Sequence, residues 1–279
     1  MTTPEPDPSN KPRHPTHSER RDIEKNQGLS AVSVYGIIHR SGTDELSRPL
    51  MSLWWSGVAA GMGISTSVLA EGILHGIYED HPYRAAIENL GYTVGFILVI
   101  LGRLQLFTEN TLSAILPLLT HRKLHTLWVT ARLWSVILLA NFAGTFLSMA
   151  LGVWAGTLKP ETLDSMLAIS RHFGELSFSE ALRYGIPSGF YIAAIVWMMP
   201  AAGSAGILVI FLFTYLIAIA EFTHVIAGSA ELFLLLMSGE IGVAHALSVG
   251  SGALLGNILG GTGLFALMAY GQVAGEIKH

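Results

Sequence analysis

Six apolar runs divide this chain, at about 50–77, 86–119, 125–156, 184–201, 205–237 and 241–273. About 20 helical residues cross the roughly 30 Å hydrocarbon core of a bilayer, so runs of this length specify membrane-spanning helices. Two of them combine excess length with a polar interruption. The second and fifth hold about 33 residues each, which would extend about 50 Å as one helix at 1.5 Å per residue. Each also carries a polar interruption, GRLQLFTENT at 102–111 and AEFTHVIAGSAE at 220–231. A helix broken near mid-membrane, its freed backbone groups turned to a protein-lined cavity, accounts for both the length and the polarity.

The rest of the sequence supports two units of three spans. Asn141 and Asn257, in the third and sixth runs, are each followed by a glycine three residues on and by Trp154 or Tyr270 thirteen residues on. With the broken run second in each unit, the units are expected to be inverted repeats of an all-α, six-span membrane protein. Gly57 and Gly61, and Gly252, Gly256 and Gly260, permit close helix contact. Trp54, Trp55, Tyr78, Tyr83, Trp128, Trp154 and Tyr184 fall near span ends, where interfacial aromatics belong. Only 13% of residues are charged and there is no cysteine, which excludes thiolate catalysis, disulfides and cysteine metal sites.

Positive charge orients the chain. Residues 1–49 carry seven Lys and Arg, the 119–125 loop carries Arg122 and Lys123, and Lys278 lies near the end. The positive-inside rule therefore expects both termini on the cytoplasmic face of an inner membrane. Residues 1–27 are nearly without apolar side chains; they are expected to be disordered and hold no signal-peptide core. Within 28–49, the stretch Ala31–Ile38 suits a helix lying at the membrane surface. The transport domain then occupies 50–274, followed by a short cytoplasmic C-terminus, 275–279. Residues 157–183 read as an external amphipathic connector, and Arg132 as a side chain snorkelling to the cytoplasmic interface.

The stretches LQLFTENT, FTHVIAGS and GNILGG resemble signatures of the formate/nitrite transporter family, whose motifs read like ELFTGN, FEHSIANM and GNIIGG. The likeness runs over roughly 50–273 in order, spacing and span layout. It implies an aquaporin-like fold and a homopentamer, each protomer with its own pore for small monovalent anions. It also implies that Leu106, Phe107 and Thr108 form the cytoplasmic constriction, that His224 is the central pore histidine, and that Asn257 lies near the constriction. The departures mark a divergent branch. Gln105 replaces an acid, Arg103 a glycine, and Thr223 the glutamate beside the histidine, while Glu221 sits two positions further back. Tyr184-Gly-Ile-Pro-Ser-Gly189 resembles KGILCN, so a vestibule lysine becomes Tyr184, with Arg183 adjacent.

The residues carry their own readings. An ionisable group at mid-span depth is a functional candidate, although His224 could also be a neutral packing residue. Its expected role is to give a proton or hydrogen bond to an anion stripped of water, helped by helix N-termini at the breaks. Leu106 and Phe107 suit either a dry slit or core packing. Thr108 and Asn257 could bond the ion or cap a broken helix, and Thr223 joins the candidate lining. Arg103 is expected to pair with Glu109 or Glu221 rather than bind the ion. No phosphate loop, nucleophile elbow or metal motif occurs, so no enzyme activity, cofactor, metal or nucleic-acid partner is expected. The expected partners are a small anion, protons and the lipid bilayer. A channel for a small neutral solute, or a non-conducting membrane protein that binds a partner through its tail, are the alternatives.

Overall fold

The structure, a computed structural model, describes residues 28–277 together with the single position His17, and these are helical without any strand. The disorder expected of 1–27 concerns residues that, His17 apart, lie outside this range. In chain order the helices are α1 (Ala31–Ser47), α2 (Leu50–Ile77), α3 (Arg84–Leu101), α4 (Asn110–Ser113), α5 (Ile115–His121) and α6 (Leu124–Val153). There follow α7 (Pro160–Gly174), α8 (Phe178–Ala202), α9 (Gly206–Ile219), α10 (Val225–Met237), α11 (Val243–Ile258), a π-helical stretch Leu259–Ala266, and α12 (Leu267–Val273).

Five stretches are long and apolar enough to cross a bilayer: Leu50–Ile77, Arg84–Leu101, Leu124–Val153, Phe178–Ile219 and Val243–Val273. The fourth has 42 residues, which would make about 63 Å of straight helix. It is not straight. Gly203, three residues after Pro200, takes φ +50°, and a single 3₁₀ turn, Gly203–Ala205, follows. Tyr191 of α8 then packs on Phe213 of α9 with ring centroids 5.8 Å apart, so the chain doubles back at the glycine. The left-handed conformation there suits glycine because a Cβ would strain it. At its other end α8 begins at Phe178, earlier than the apolar run at 184 suggests, because Ser177 and Glu180 form a capping box. Side chain bonds backbone in both directions there, which satisfies two orphan N–H groups.

Both long runs are broken. Helix α3 stops at Leu101 and helix resumes at Asn110; α9 stops at Ile219 and α10 begins at Val225. Gly57 and Gly61 of α2 lie against Ala140 and the Asn141 carbonyl of α6, while Gly256 and Gly260 lie against the Leu182 and Ile186 carbonyls of α8. A side chain at any of these would push the helices apart. Two buried hydroxyls within the apolar helices are satisfied locally: Ser65 donates to the Gly61 carbonyl at 2.9 Å and Thr214 to that of Ile210 at 2.7 Å. Leu139, Leu208, Leu212 and Leu247 point outward, a surface that water would disfavour and lipid accepts.

Helix α1 turns its apolar face to the protein. Val34, Tyr35 and Ile38 are buried against Leu112, Ile115, Leu116 and Val273. Arg132 does not snorkel outward; its Nη2 donates to the Leu46 and Arg48 carbonyls at 3.0 and 3.4 Å, tying α6 to the end of α1. The connector expected at 157–183 contains α7, whose buried Met166 and Leu167 pack beside Val68, Met149 and Leu234.

On α1, His39 stands 5.9 Å from the His121 ring of α5, with its Nε2 enclosed and unpartnered. Burial first, and then His121, hold the His39 imidazole below its ordinary range. Protonation therefore opposes docking: the docked state is fully favoured above the unfolded value of about 6.5 and weakens as pH falls below it. Hydrogen exchange of amides 31–47, referenced to α6, should be faster at pH 5 than at pH 8 once intrinsic chemistry is corrected. Equal protection at the two values would contradict this.

Candidate pore site

The two breaks are built alike. At the end of α3 the Arg103 N–H bonds the Ile100 carbonyl and the Leu104 N–H bonds that of Val99; at the end of α9 Glu221 and Phe222 repeat this with Ala218 and Ile217. Each is a Schellman closure, in which the turning residue is left-handed and usually glycine. Here the turning residues are Arg103 (φ +52°) and Glu221 (φ +55°).

Beyond each turn an asparagine clasps the loose chain. Asn141 donates to the Gly57 and Gln105 carbonyls, both at 2.8 Å, and accepts from the Phe107 N–H at 2.9 Å. Asn257 donates to the Gly185 and Thr223 carbonyls at 2.9 and 2.8 Å and accepts from the Val225 N–H at 2.8 Å. Arg103 thus corresponds to Glu221, Gln105 to Thr223, Phe107 to Val225, and Leu106 to His224.

A cavity opens on each side of this double break. One, the α7 vestibule, of about 330 Å³, is lined by α2, α3, α7 and the second break, and has His224 at its floor. The other, the α1 vestibule, of about 370 Å³, is lined by α1, α3, the first break and α8, and has Leu106 at its floor. The second broken run enters from the α1 side, beside Met199 and Pro200, and reaches the α7 side at Ala218; the first runs the opposite way. Between the vestibules the waist is dry and closed: Leu106 and Thr108 are inaccessible, and Phe107 and His224 each keep 1% of their surface.

His224 has two attachments. Its Nδ1 accepts the Ala227 N–H at 3.2 Å, so the ring caps α10, and its Nε2 lies 2.8 Å from Thr108 Oγ1. Acceptance at Nδ1 assigns the ring proton to Nε2, which donates to the threonine. The Thr108 hydroxyl hydrogen has no further acceptor among the described residues. Phe96 stands edge-on to the imidazole at 4.9 Å. Thr108 is held in turn from below, since its carbonyl accepts the Thr111 hydroxyl at 2.7 Å and the Thr111 carbonyl accepts the Thr262 hydroxyl of the π-helical stretch at 2.6 Å.

Not every candidate faces the waist. Leu106 lines a cavity, whereas Phe107 packs edge-on to Trp134 at 5.6 Å. The Thr223 hydroxyl donates to the Ala181 carbonyl at 2.6 Å, and the Asn257 amide is fully occupied by backbone. The expected pairing of Arg103 with a glutamate does not form. Glu221 lies 3.1 Å from His172 instead, because equivalent positions of the two breaks open to opposite cavities. Glu109 shares the α1 vestibule with Arg103, but Arg103 is exposed while Glu109 Oε1 is enclosed and has no partner among the described residues. Arg183 turns back to the Ser179 carbonyl at 3.3 Å, and neither it nor Tyr184 lines the α7 vestibule.

The side chains that dominate that vestibule lie outside the candidate set above: Glu71, His75, Glu88, Tyr92, His172 and Glu231, the last at the end of the interruption 220–231. For Glu71 and Glu231 the sequence signal is a lone acid inside an apolar run, as in VLAEGIL and GSAELFL.

A family model described as formate/nitrite transporter matches residues 32–271. The chain belongs to the formate/nitrite transporter family. It is thus a multi-pass membrane protein of a transporter family, not an enzyme. Within curated relatives it is 39% identical over 254 residues to inner membrane protein YfdC of Escherichia coli (strain K12), covering 89% of this chain and 81% of that one. It is 28% identical over 257 residues to formate-nitrite transporter 3 of Toxoplasma gondii (strain ATCC 50611 / Me49), covering 84% of this chain and 50% of that protein. Two solved structures share the family fold. A pentameric formate channel with formate bound aligns at TM-score 0.69 and 19% identity over 81% of this chain and 98% of its own. An FNT family ion channel aligns at TM-score 0.73 and 18% identity over 87% and 98%.

Two substitutions test the scaffold. Asn257→Ala removes three buried hydrogen bonds and should cost about 3 kcal/mol at roughly 1 kcal/mol each, read as a lower unfolding midpoint in detergent. Asn257→Asp keeps the acceptor but loses both donors, and should do no better. Arg103→Gly should relieve about 1 kcal/mol of left-handed strain and raise that midpoint; a lowered midpoint would mean that the arginine side chain contributes more than its backbone costs.

Proposed function

We propose that the chain conducts a small monovalent weak-acid anion, of the formate or nitrite kind, through a pore in each protomer of a homopentamer in an inner membrane. The observation that carries this reading is the waist: two vestibules converge on a dry septum where a histidine and a threonine share one hydrogen bond. An apolar constriction repels hydrated ions, since a bare charge loses many kcal/mol of hydration there. The half-helix α10, whose N-terminus lies at the waist, adds partial positive charge, and the spare hydrogen of Thr108 offers a solute one donor. The fold shared with a pentameric formate channel supports the pentamer, and the family supports the anion. Six crossings follow if the chain reversal at Gly203 and the pair α9–α10 are counted as separate spans. Both termini are assigned to the cytoplasmic side by the seven Lys and Arg of residues 1–49 and by Arg122 and Lys123.

A second reading, a channel for a small neutral solute, is favoured by one observation. The α7 vestibule has a single Arg or Lys, Arg84, and it is paired with Glu88 at 3.5 Å. An anion finds no uncommitted cation there.

Flux into proteoliposomes of formate, nitrite, acetate, chloride and glycerol, at pH 5 and pH 7.5, separates the readings. Weak-acid flux should fall about tenfold in His224→Ala, as loss of roughly 1.4 kcal/mol of barrier stabilisation requires. Glycerol flux without anion flux would replace the first reading by the second.

A further inference from the structure

The α7 vestibule contains more acid than an anion pathway calls for. Glu71 of α2, Glu88 of α3, Glu221 of the second break and Glu231 of α10 all line it. Two of these have basic side chains beside them: Glu88 lies 2.9 Å from His75 and 3.5 Å from Arg84, and Glu221 lies 3.1 Å from His172. Glu71 and Glu231 make neither an ion pair nor a side-chain hydrogen bond among the described residues. Tyr92 lines the same cavity; it is only 7% exposed, and its hydroxyl has no partner among them either. Ser67 bonds its carbonyl instead. All three groups line the one cavity. One turn beyond Tyr92, Phe96 packs on His224, and His224, Gly228 and Glu231 line the cavity from one face of α10. A path from the carboxyls to the waist is thus marked out by side chains.

At the waist itself a proton is hard to obtain. His224 accepts the Ala227 N–H at one nitrogen and directs its only ring hydrogen at Thr108. A weak-acid anion must then be protonated earlier, or cross the dry septum charged.

We infer that Glu71, Tyr92 and Glu231 form a proton-donating antechamber, in which the anion takes a proton from a carboxyl and goes on to the waist as the neutral acid. This rests on the weak-acid reading proposed above. The carboxyl O–H bond breaks and an O–H bond to the anion's oxygen forms; the electron pair of the broken bond stays on the glutamate. The free Tyr92 hydroxyl offers the anion a donor beside the carboxyls, and the carboxylate left behind regains a proton from vestibule water. The neutral acid loses its proton to water in the α1 vestibule, so charge and atoms balance and the crossing is electroneutral. The facing groups are compatible with this assignment. From α2 come Glu71 and His75, from α3 Arg84, Glu88 and Tyr92, from α7 His172, and from the second broken run Glu221, His224 and Glu231. With His75 and Arg84 on Glu88, and His172 on Glu221, the acids left to exchange protons are Glu71 and Glu231.

The test uses the full chain in proteoliposomes, with a formate gradient and an internal pH dye. In the parent, formate entry should rise as pH falls from 8 to 5 and should acidify the lumen. The double variant Glu71→Gln, Glu231→Gln keeps the shape and hydrogen bonding but cannot donate a carboxyl proton. Its formate flux at pH 5 should fall about a hundredfold, the low end for a positioned proton donor, and its pH profile should flatten. Each single variant should fall between the two. Tyr92→Phe should lower the flux and keep the slope. A double variant that is folded and pentameric yet keeps the parent's pH profile would overturn the inference while leaving the weak-acid channel intact. Methylammonium flux in the parent, lost in the double variant, would overturn it by making the pair a cation site. A folded parent that passes no weak acid would remove the underlying reading as well.

Discussion

The centre of this molecule is governed by one requirement: a backbone that stops being helical inside a bilayer must still find partners for its N–H and C=O groups. Each one left unpaired in an apolar surrounding costs several kcal/mol. The chain meets this twice with the same parts. A Schellman turn closes the upstream half-helix, and one asparagine from a distant helix takes the next carbonyl and N–H. Because Asn141 also reaches α2 at Gly57, and Asn257 reaches α8 at Gly185, each amide joins three separate segments. The asparagines therefore fix where the breaks stand, and not only that they are tolerated. Glycines at the helix crossings let these amides come within reach.

What faces the two vestibules is set by this clasp. Holding the Phe107 and Val225 N–H groups orients the residues just before them, Leu106 and His224, to the floors of opposite cavities. The imidazole is then anchored as a helix cap through one nitrogen, which leaves the other for Thr108. Thr108 is positioned by a relay through Thr111 to Thr262, where the last span widens into a π-helix. Such widenings recur at functional sites because they shift register without ending the helix. The waist is thus held from two sides, by α10 above and by the last span below.

Much of this was legible in the sequence because bilayer thickness is a fixed ruler. Length alone does not mark a break, since Leu124–Val153 and Val243–Val273 run on for 30 and 31 residues; length together with a polar interruption does, and both breaks lie where the polar residues interrupt the runs. The paired asparagines were visible as a repeat, but a side-chain amide can bond an ion as readily as a backbone, so their use was not. The pairing expected for Arg103 failed for a reason the repeat itself contained: equivalent positions in inverted units face opposite sides, which keeps Arg103 from Glu221. Gln105 and Thr223, equivalent in the same way, both present their carbonyls to an asparagine. The vestibule was the least legible part. Glu71, Tyr92, His172 and Glu231 come from four helices distant in sequence, and only their convergence gives them meaning.

The repeat is kept where it carries structure and abandoned where it lines the vestibules. Asn141 matches Asn257, Gly57 matches Gly185, and the turning residues share one backbone conformation. Yet Leu106 stands opposite His224, Arg103 opposite Glu221, and Ser113 opposite Glu231. A symmetric scaffold with unlike linings gives the two mouths different chemistry. Four glutamates line the α7 mouth, while the α1 mouth has two, Glu45 and Glu109, beside an exposed arginine. For a permanent anion the acidic mouth would be a barrier, since like charge in a confined, poorly screened space is repelled. For the anion of a weak acid it need not be one, because a carboxyl that carries a proton is a donor rather than a charge. The acidic vestibule and an anion-transporting family are then compatible on one condition: charge is neutralised before the dry waist and not within it.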